Sequence, residues 1–130
     1  MRQDDKKLLL IDLSARAPYG VHCAVYKMNG DILEEDDIIY YVTPLNVVAL
    51  KHNSSNECFM VYQIKPYLRP MSSMTEEERD DFYHNRTFHD GRMWESEGFD
   101  VDWLNAHHFD YRGLIEKGLA LEAPEGMYKN

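Results

Sequence analysis

The stretch VHCAVYKMNGDIL, residues 21–33, decides the fold class of this chain. Residues 21–28 are rich in β-branched and aromatic side chains, which are typical of strands. Asn29-Gly30 follows, and an Asn-Gly pair between two such runs is the strongest short signal for a β-hairpin. The sequence therefore predicts an antiparallel hairpin with a type I′ turn, in which Asn29 and Gly30 both have positive φ.

Further short apolar runs lie on both sides of this hairpin and extend the predicted β unit over residues 1–65. These runs lie at residues 7–13, 38–43, 45–50 and 58–64. Few of their positions alternate between apolar and polar, which indicates strands that are covered on both faces or closed on themselves. About five short strands with tight turns predict a small antiparallel barrel or a curled meander.

Residues 66–74 follow the β unit and contain Pro66 and Pro70. Because a proline pushes the residue before it toward extended backbone, we expect an extended strap that packs on its own domain. A ligand for a proline-binding domain is the alternative interpretation.

Residues 75–130 predict an acidic helical part. Thr75 and Glu78 have capping-box spacing, in which each side chain accepts a hydrogen bond from the other residue's amide. This spacing predicts a helix over about residues 76–84, followed by a long irregular segment at 85–99 that shows no clear period. The chain is thus expected to form one α+β domain over residues 1–130.

Within this part, residues 100–118 predict a helix–turn–helix hairpin docked on the β unit. Asp100 or Asp102 opens the first helix and Asp110 opens the second, since a short carboxylate satisfies the free amides of a helix N-terminus. The predicted inward residues are Trp103, Leu104, Phe109, Leu114 and Ile115. The predicted outward residues are Asn105, His107, Arg112 and Glu116.

The negative charge is concentrated in the second half of the chain. The sequence has 14 Lys and Arg against 23 Asp and Glu, a net charge of −9. Residues 1–74 contain eight basic and nine acidic residues, whereas residues 75–130 contain six and fourteen. No basic cluster is present to neutralise nucleic-acid phosphates or anionic lipids, so direct nucleic-acid and membrane binding are disfavoured. The acidic face suits either solubility alone or a basic protein partner.

The sequence does not indicate membrane insertion or export. The apolar runs, among them residues 8–11, are all far shorter than the roughly 20 residues that a membrane helix needs. The N-terminus has acidic residues where a signal peptide would have an apolar stretch. We therefore expect a cytoplasmic protein, with Cys23 and Cys58 as free thiols packed like small hydrophobes.

Four histidines of the acidic part raise the question of a metal site: His84, His89, His107 and His108. Their spacing differs from the tight paired spacing of structural zinc sites, and adjacent histidines on one helix point about 100° apart. No Gly-rich phosphate loop and no nucleophile motif is present. We predict no metal, no cofactor and no catalysis, with a His-based metal-dependent enzyme as the alternative.

The residues predicted to form a binding surface are His107, His108, Arg112, Trp94 and Trp103. The turn of the predicted helical hairpin gathers polar groups of both signs, and tryptophan combines a large apolar area with a polar tip. In the alternative interpretation, Arg112 only pairs with Asp110 or Glu116 at an exposed site.

Three stretches carry a family resemblance: LLLIDLSARAPYGV at 8–21, IKPYLRPMSSMTEEE at 64–78 and DWLNAHHFDYRGLIEKGLALEAPEGMY at 102–128. They resemble a family of short hypothetical proteins from gut bacteria of the Bacteroides group, their phages and mobile elements. The resemblance implies a cytoplasmic protein of bacterial or phage origin, and it assigns no activity, cofactor or catalytic residue. The β unit is also similar in strand count and length to SH3-like or Tudor-like barrels, which host many functions.

Two functions are consistent with these features. The first is a small acidic protein-binding or adaptor module that uses the acidic helical part or an aromatic β face. The second is an inhibitor borne by a phage or mobile element that mimics nucleic acid by presenting carboxylates to a basic host protein. Capture of a partner by such a mimic should weaken steeply with salt, because exposed charges are screened.

Overall fold

The described part of the chain contains three α-helices and one mixed sheet, so the predicted α+β class is confirmed. The computed structural model describes residues 2–45, 47–52, 58–88 and 97–128. The helices are α1 (Gln3–Arg16), α2 (Glu76–Phe88) and α3 (Glu97–Ala106). The strands are β1 (His22–Tyr26), β2 (Ile32–Val42), β3 (Val47–Leu50), β4 (Cys58–Met60), β5 (Ile64–Pro70), β6 (Phe109–Asp110) and β7 (Leu121–Glu122).

The sheet has the strand order β4-β3-β2-β1-β5-β6, with β7 also paired to β5. Strands β1 to β4 pair antiparallel with their neighbours in sequence, and β5 pairs antiparallel with β1. Strands β6 and β7 both run parallel to β5. Among the described strands the sheet remains open, which corrects the predicted barrel.

Strands β1 and β2 form the predicted hairpin with a different turn. The amide of Lys27 donates to the carbonyl of Asp31 at 2.7 Å, and the amide of Gly30 donates to the carbonyl of Lys27 at 2.9 Å. Gly30 has a φ of 95°, whereas Asn29 does not have positive φ. The type I′ prediction is therefore wrong, because the loop has a single left-handed position, which is typical of a turn followed by a bulge.

The segment predicted as a first strand, residues 7–13, lies within helix α1. Leu9 and Leu13 are both fully buried at helical spacing, and Asp12 and Arg16 are buried with them. The helix therefore places the residues of the apolar run on different faces, and Ile11 is half exposed. The β unit consequently begins at β1 rather than at residue 1.

The core lies between α1 and one face of the sheet. It contains Leu9, Leu13, Val21, Cys23, Val25, Ile39, Val48, Leu50, Phe59, Val61, Ile64, Leu68, Leu114, Leu119 and Ala120. A smaller cluster of Trp103, Leu104 and Phe109 packs against Phe82 of α2. No helix in the described ranges is long and apolar enough to cross a membrane.

The strap predicted over residues 66–74 is extended, but its first part belongs to strand β5. Cys23 of β1 pairs with Pro66, and β7 begins to pair with β5 at Tyr67. No described strand therefore pairs with Pro66 on the side away from β1, and its missing amide does not interrupt a ladder there. Residues 71–73 then form a short 3₁₀ turn before α2.

The predicted helical hairpin over residues 100–118 is replaced by one helix and one turn. Helix α3 begins at Glu97, before either predicted cap, and Asp110 lies in β6. The carboxylate of Asp110 accepts from the amides of Leu114 at 2.9 Å and Ile115 at 3.0 Å, so it closes a turn rather than opening a helix. Of the predicted inward residues, Trp103, Leu104, Phe109 and Leu114 are buried and Ile115 is partly buried. Of the predicted outward residues, Asn105 is buried, His107 and Arg112 are partly buried and Glu116 is exposed.

Candidate functional site

A cleft lies between the start of α2, the end of β5 and residues 122–128 of the C-terminal segment. Its outer cavity has a volume of about 970 Å³ and its inner cavity a volume of about 260 Å³. Arg69, Glu78 and Tyr128 line both cavities and form the boundary between them. We take this cleft as the candidate functional site, because ligand sites are concave and contain a few convergent polar groups.

The outer cavity is acidic. Its lining includes the carboxylates of Glu77, Glu78, Glu122 and Glu125 against the single guanidinium of Arg69. Glu77, Glu122 and Glu125 are exposed and form no ion pair within the described residues. The cavity therefore has an uncompensated negative charge, which attracts cations and repels anions.

The rim of the cleft is held by a capping box and an ion pair that share Glu78. The amide of Glu78 donates to the hydroxyl of Thr75 at 3.1 Å, and the amide of Thr75 donates to Glu78 Oε1 at 3.0 Å. The predicted capping box is thus confirmed. Arg69 donates through both terminal nitrogens to the two carboxylate oxygens of Glu78, each at 2.6 Å. These hydrogen bonds, led by those from Arg69, lower the pKa of Glu78 to about 2, so its carboxylate is ionised at neutral pH.

His107 lines the inner cavity at the end of α3. Its ring stacks on Trp103 with centroids 3.9 Å apart, and Trp103 in turn donates to Asp81 of α2 at 2.9 Å. His107 Nδ1 lies 3.9 Å from Glu78 Oε2, too far for a direct hydrogen bond. Burial lowers the pKa of His107 more than the nearby carboxylates raise it, which favours the neutral ring.

His108 lines the same inner cavity and has two unusual features. Its backbone φ is 65°, a left-handed conformation in which glycine is the usual residue after a helix. Its side chain is buried, and Nδ1 has no hydrogen-bond partner among the described residues. Burial, followed by the charge of Arg16, lowers the pKa of His108 to about 4. The imidazole is therefore neutral at physiological pH.

Tyr128 fixes the C-terminal wall of the cleft to the sheet. Its hydroxyl accepts a hydrogen bond from the amide of His22 at 2.8 Å and donates one to the carbonyl of Tyr67 at 2.7 Å. The register of β1 and β5 pairs Cys23 with Pro66, so His22 and Tyr67 are the next opposed residues. The hydroxyl thus lies between two strands where a direct ladder bond would otherwise form. The ring of Tyr128 stacks on His108 with centroids 3.7 Å apart.

The structure brings together three of the five predicted binding residues. His107 and His108 line the inner cavity, and the Trp103 ring stacks on the ring of His107. Trp94 lies outside the described residues.

Arg112 belongs to a separate buried network. Its Nη1 donates to Asp12 Oδ1 at 2.7 Å, so the alternative interpretation, in which Arg112 only pairs with Asp110 or Glu116, is also wrong. The second oxygen of Asp12 accepts from Arg16 Nε at 2.8 Å, and Arg16 Nη2 donates to the carbonyl of Phe109 at 2.6 Å. Arg112 therefore ties the 111–118 turn to α1 rather than lining the cleft.

Several cleft residues escaped the sequence analysis. Arg69 lies in the segment predicted as a strap, and Glu122, Glu125 and Tyr128 lie in a C-terminal segment without a strong local pattern. They reach α2 because β7 pairs in parallel with β5, where Leu68 stands opposite Glu122. Such a long-range pairing has no short sequence signature, whereas Glu78 was identifiable from its capping box.

The described residues include no group of three or more His, Cys, Asp or Glu side chains that could hold one metal ion. His89 and the side chain of His84 lie outside them. Burial raises the pKa of the Cys23 thiol, and Cys58 is exposed rather than packed as predicted. The cleft thus combines carboxylates with neutral imidazoles, a set of groups that can accept hydrogen bonds from a cation.

Comparison with known proteins adds no relative: neither a family model, nor a curated protein, nor a solved structure matches this chain.

Proposed function

We propose that this protein is a binding module that captures a basic segment of a partner protein in its acidic cleft. The observation that carries the proposal is the outer cavity, where four carboxylates surround one guanidinium. Arg69 is already paired with Glu78, so the charges left to act on a ligand are those of Glu77, Glu122 and Glu125. A partner segment rich in lysine or arginine is complementary to this arrangement.

The walls of the cleft are preorganised, which supports a binding role. The capping box and the Arg69–Glu78 pair hold the α2 wall, and the Tyr128 hydroxyl holds the opposite wall. Binding at such a site requires little further ordering of the protein, so less of the binding free energy is lost than at a mobile surface.

The chemistry of the cleft favours binding over catalysis. At neutral pH the Glu78 carboxylate is fully ionised, and His108, with a pKa of about 4, is a weak base. Both groups are suited to accept hydrogen bonds from a ligand rather than to activate a nucleophile.

The affinity of a fluorescein-labelled peptide of alternating lysine and glycine tests this proposal. The variant Glu77→Gln/Glu122→Gln/Glu125→Gln removes the unpaired cleft charges and should weaken binding at least tenfold at low salt. The matched control makes the same change in charge outside the cleft: Glu34→Gln, Glu35→Gln and Glu116→Gln. We expect the control to stay within about threefold of the unmodified protein. Equal weakening by both variants would show that net charge alone attracts the peptide, and the proposal would be wrong.

Affinity capture from the native host, followed by mass spectrometry, should then identify the partner. The cleft variant should lose this partner and the matched control should retain it. Release of the captured protein by duplex DNA would instead support the nucleic-acid mimic, because the DNA would compete for the same basic surface.

A further inference from the structure

His108 has features that lower the stability of the fold and that packing alone does not require. A non-glycine residue in the left-handed region is strained, and a buried ring nitrogen without a partner adds a further penalty. Strain and unsatisfied polar groups of this kind concentrate where a protein binds a ligand. Because His108 lines the inner cavity, a ligand bound there would lie beside its ring.

The polar groups around the inner cavity are mainly acceptors. Glu78 Oε1 already accepts from Arg69 and Thr75, whereas Oε2 accepts from Arg69 alone among the described residues and has a further acceptor position there. The neutral rings of His107 and His108 each have one unprotonated nitrogen, which can accept a hydrogen bond. One donor atom can bridge Glu78 Oε2 and His107 Nδ1, because these atoms are 3.9 Å apart.

From this arrangement we infer that the inner cavity binds a primary ammonium group, supplied by a lysine side chain of the basic segment. The inference rests on the proposed function and names the anchor residue of the ligand. An ammonium has three donors and no acceptor, which matches the acceptors of Glu78, His107 and His108. Two like charges act on this site: that of Arg69 is paired with Glu78 and that of Arg16 with Asp12. The carboxylates of the outer cavity attract the ammonium toward the site.

An arginine side chain fits the same cavity less well. A guanidinium binds a carboxylate best through two parallel hydrogen bonds, and Arg69 already occupies that face of Glu78. Only one acceptor position remains on Oε2, which suits the compact ammonium and not a second planar fork. The cavity therefore distinguishes lysine from arginine, although the outer cavity attracts both.

Three peptides test the inference. Each consists of Gly and Ser with two arginines that flank one central residue, and the central residue is lysine, arginine or Nε-acetyl-lysine. The lysine peptide should bind at least tenfold more tightly than the arginine peptide and the Nε-acetyl-lysine peptide, which lacks the charge. The variant His108→Phe keeps a ring against Tyr128 but removes the acceptors, and it should abolish the preference for lysine. Equal affinities for the lysine and arginine peptides, or an unchanged preference in His108→Phe, would overturn the inference.

Titration of the unmodified protein with n-butylamine provides an independent measurement that does not depend on a variant or on a peptide. A free amine that enters the inner cavity should shift the ¹⁵N resonances of the His107 and His108 rings. Unshifted rings at a saturating concentration of amine would contradict the ammonium site. Failure of all three peptides to bind, with shifted rings, would instead contradict the proposed function and leave the ammonium site supported.

Discussion

Replacement of Tyr128 by phenylalanine tests how the C-terminal wall of the cleft is held. The hydroxyl is the shared partner of the His22 amide and the Tyr67 carbonyl, at 2.8 Å and 2.7 Å. Phenylalanine keeps the ring that stacks on His108, so the substitution removes these two hydrogen bonds and little else. A partly buried backbone group that loses its partner costs about 1–2 kcal/mol. We therefore expect Tyr128→Phe to lower the free energy of unfolding by about 2–4 kcal/mol.

Urea unfolding followed by far-UV circular dichroism measures this change at pH 7. Tyr40→Phe is the matched control, because the Tyr40 side chain is 63% exposed and has no hydrogen-bond partner in the described ranges. It should change the free energy of unfolding by less than about 0.5 kcal/mol. A similarly small change in Tyr128→Phe would refute the bridging role, since the strands would then pair directly without the hydroxyl.

Three further substitutions test the core and the buried polar groups. Asp12→Ala leaves the guanidinium of Arg16 buried without its carboxylate and should cost about 3–5 kcal/mol in a urea titration; a loss under 1 kcal/mol would show that Arg16 finds another partner. Leu114→Ala should cost about 2–5 kcal/mol because the side chain is fully buried, and tolerance of this change would place Leu114 at the surface. Burial lowers the pKa of His108 to about 4 from an ordinary 6.5, so between these pH values the unfolded chain binds a proton that the folded chain does not. The free energy of unfolding is therefore unaffected by this group above pH 6.5. It decreases as the pH falls to 4, by at most about 3 kcal/mol. The melting temperature of His108→Gln should therefore fall less steeply from pH 7 to 4.5 than that of the unmodified protein, and parallel curves would contradict the assignment.

The features that the sequence predicted well are those with local causes. The hairpin after β1 depends on a glycine with positive φ, and the start of α2 depends on hydrogen bonds between Thr75 and Glu78. In both cases the interacting groups lie within four residues of each other, so their spacing along the chain suffices to predict them.

Helix α1 was missed because its buried face includes charged residues. Leu9 and Leu13 are at helical spacing, but Asp12 and Arg16 share the buried side and obscure the apolar period. Their charges are acceptable there because they pair with each other and with Arg112. Sequence patterns do not reveal this pairing, since Arg112 is 100 residues away from Asp12.

The turn after β6 shows how one signal can have two outcomes. Asp110 does accept hydrogen bonds from free amides, as predicted for a cap. The next residues do not continue as a helix, and Gly113 and Gly118 both have left-handed backbone, with φ of 74° and 75°. The glycines limit the segment to a single turn, so the predicted second helix does not form.

The candidate site was predictable only in part because it is assembled by tertiary contacts. His107 and His108 were selected from the sequence, but for a helical hairpin that does not form. Their neighbours Arg69 and Tyr128 come from segments distant in sequence, joined through the parallel pairing of β5 with β6 and β7. Parallel pairing of such short strands has no sequence pattern of its own.

Mapping of backbone amide shifts during titration with the lysine–glycine peptide tests the central claim most directly. The acidic cleft should give shifts confined to residues 69–78 and 122–128, together with His107 and His108, and these shifts should diminish as salt is added. Shifts centred instead on residues 31–37, the acidic stretch of the hairpin turn and β2, would place the basic ligand on a different surface and contradict the account.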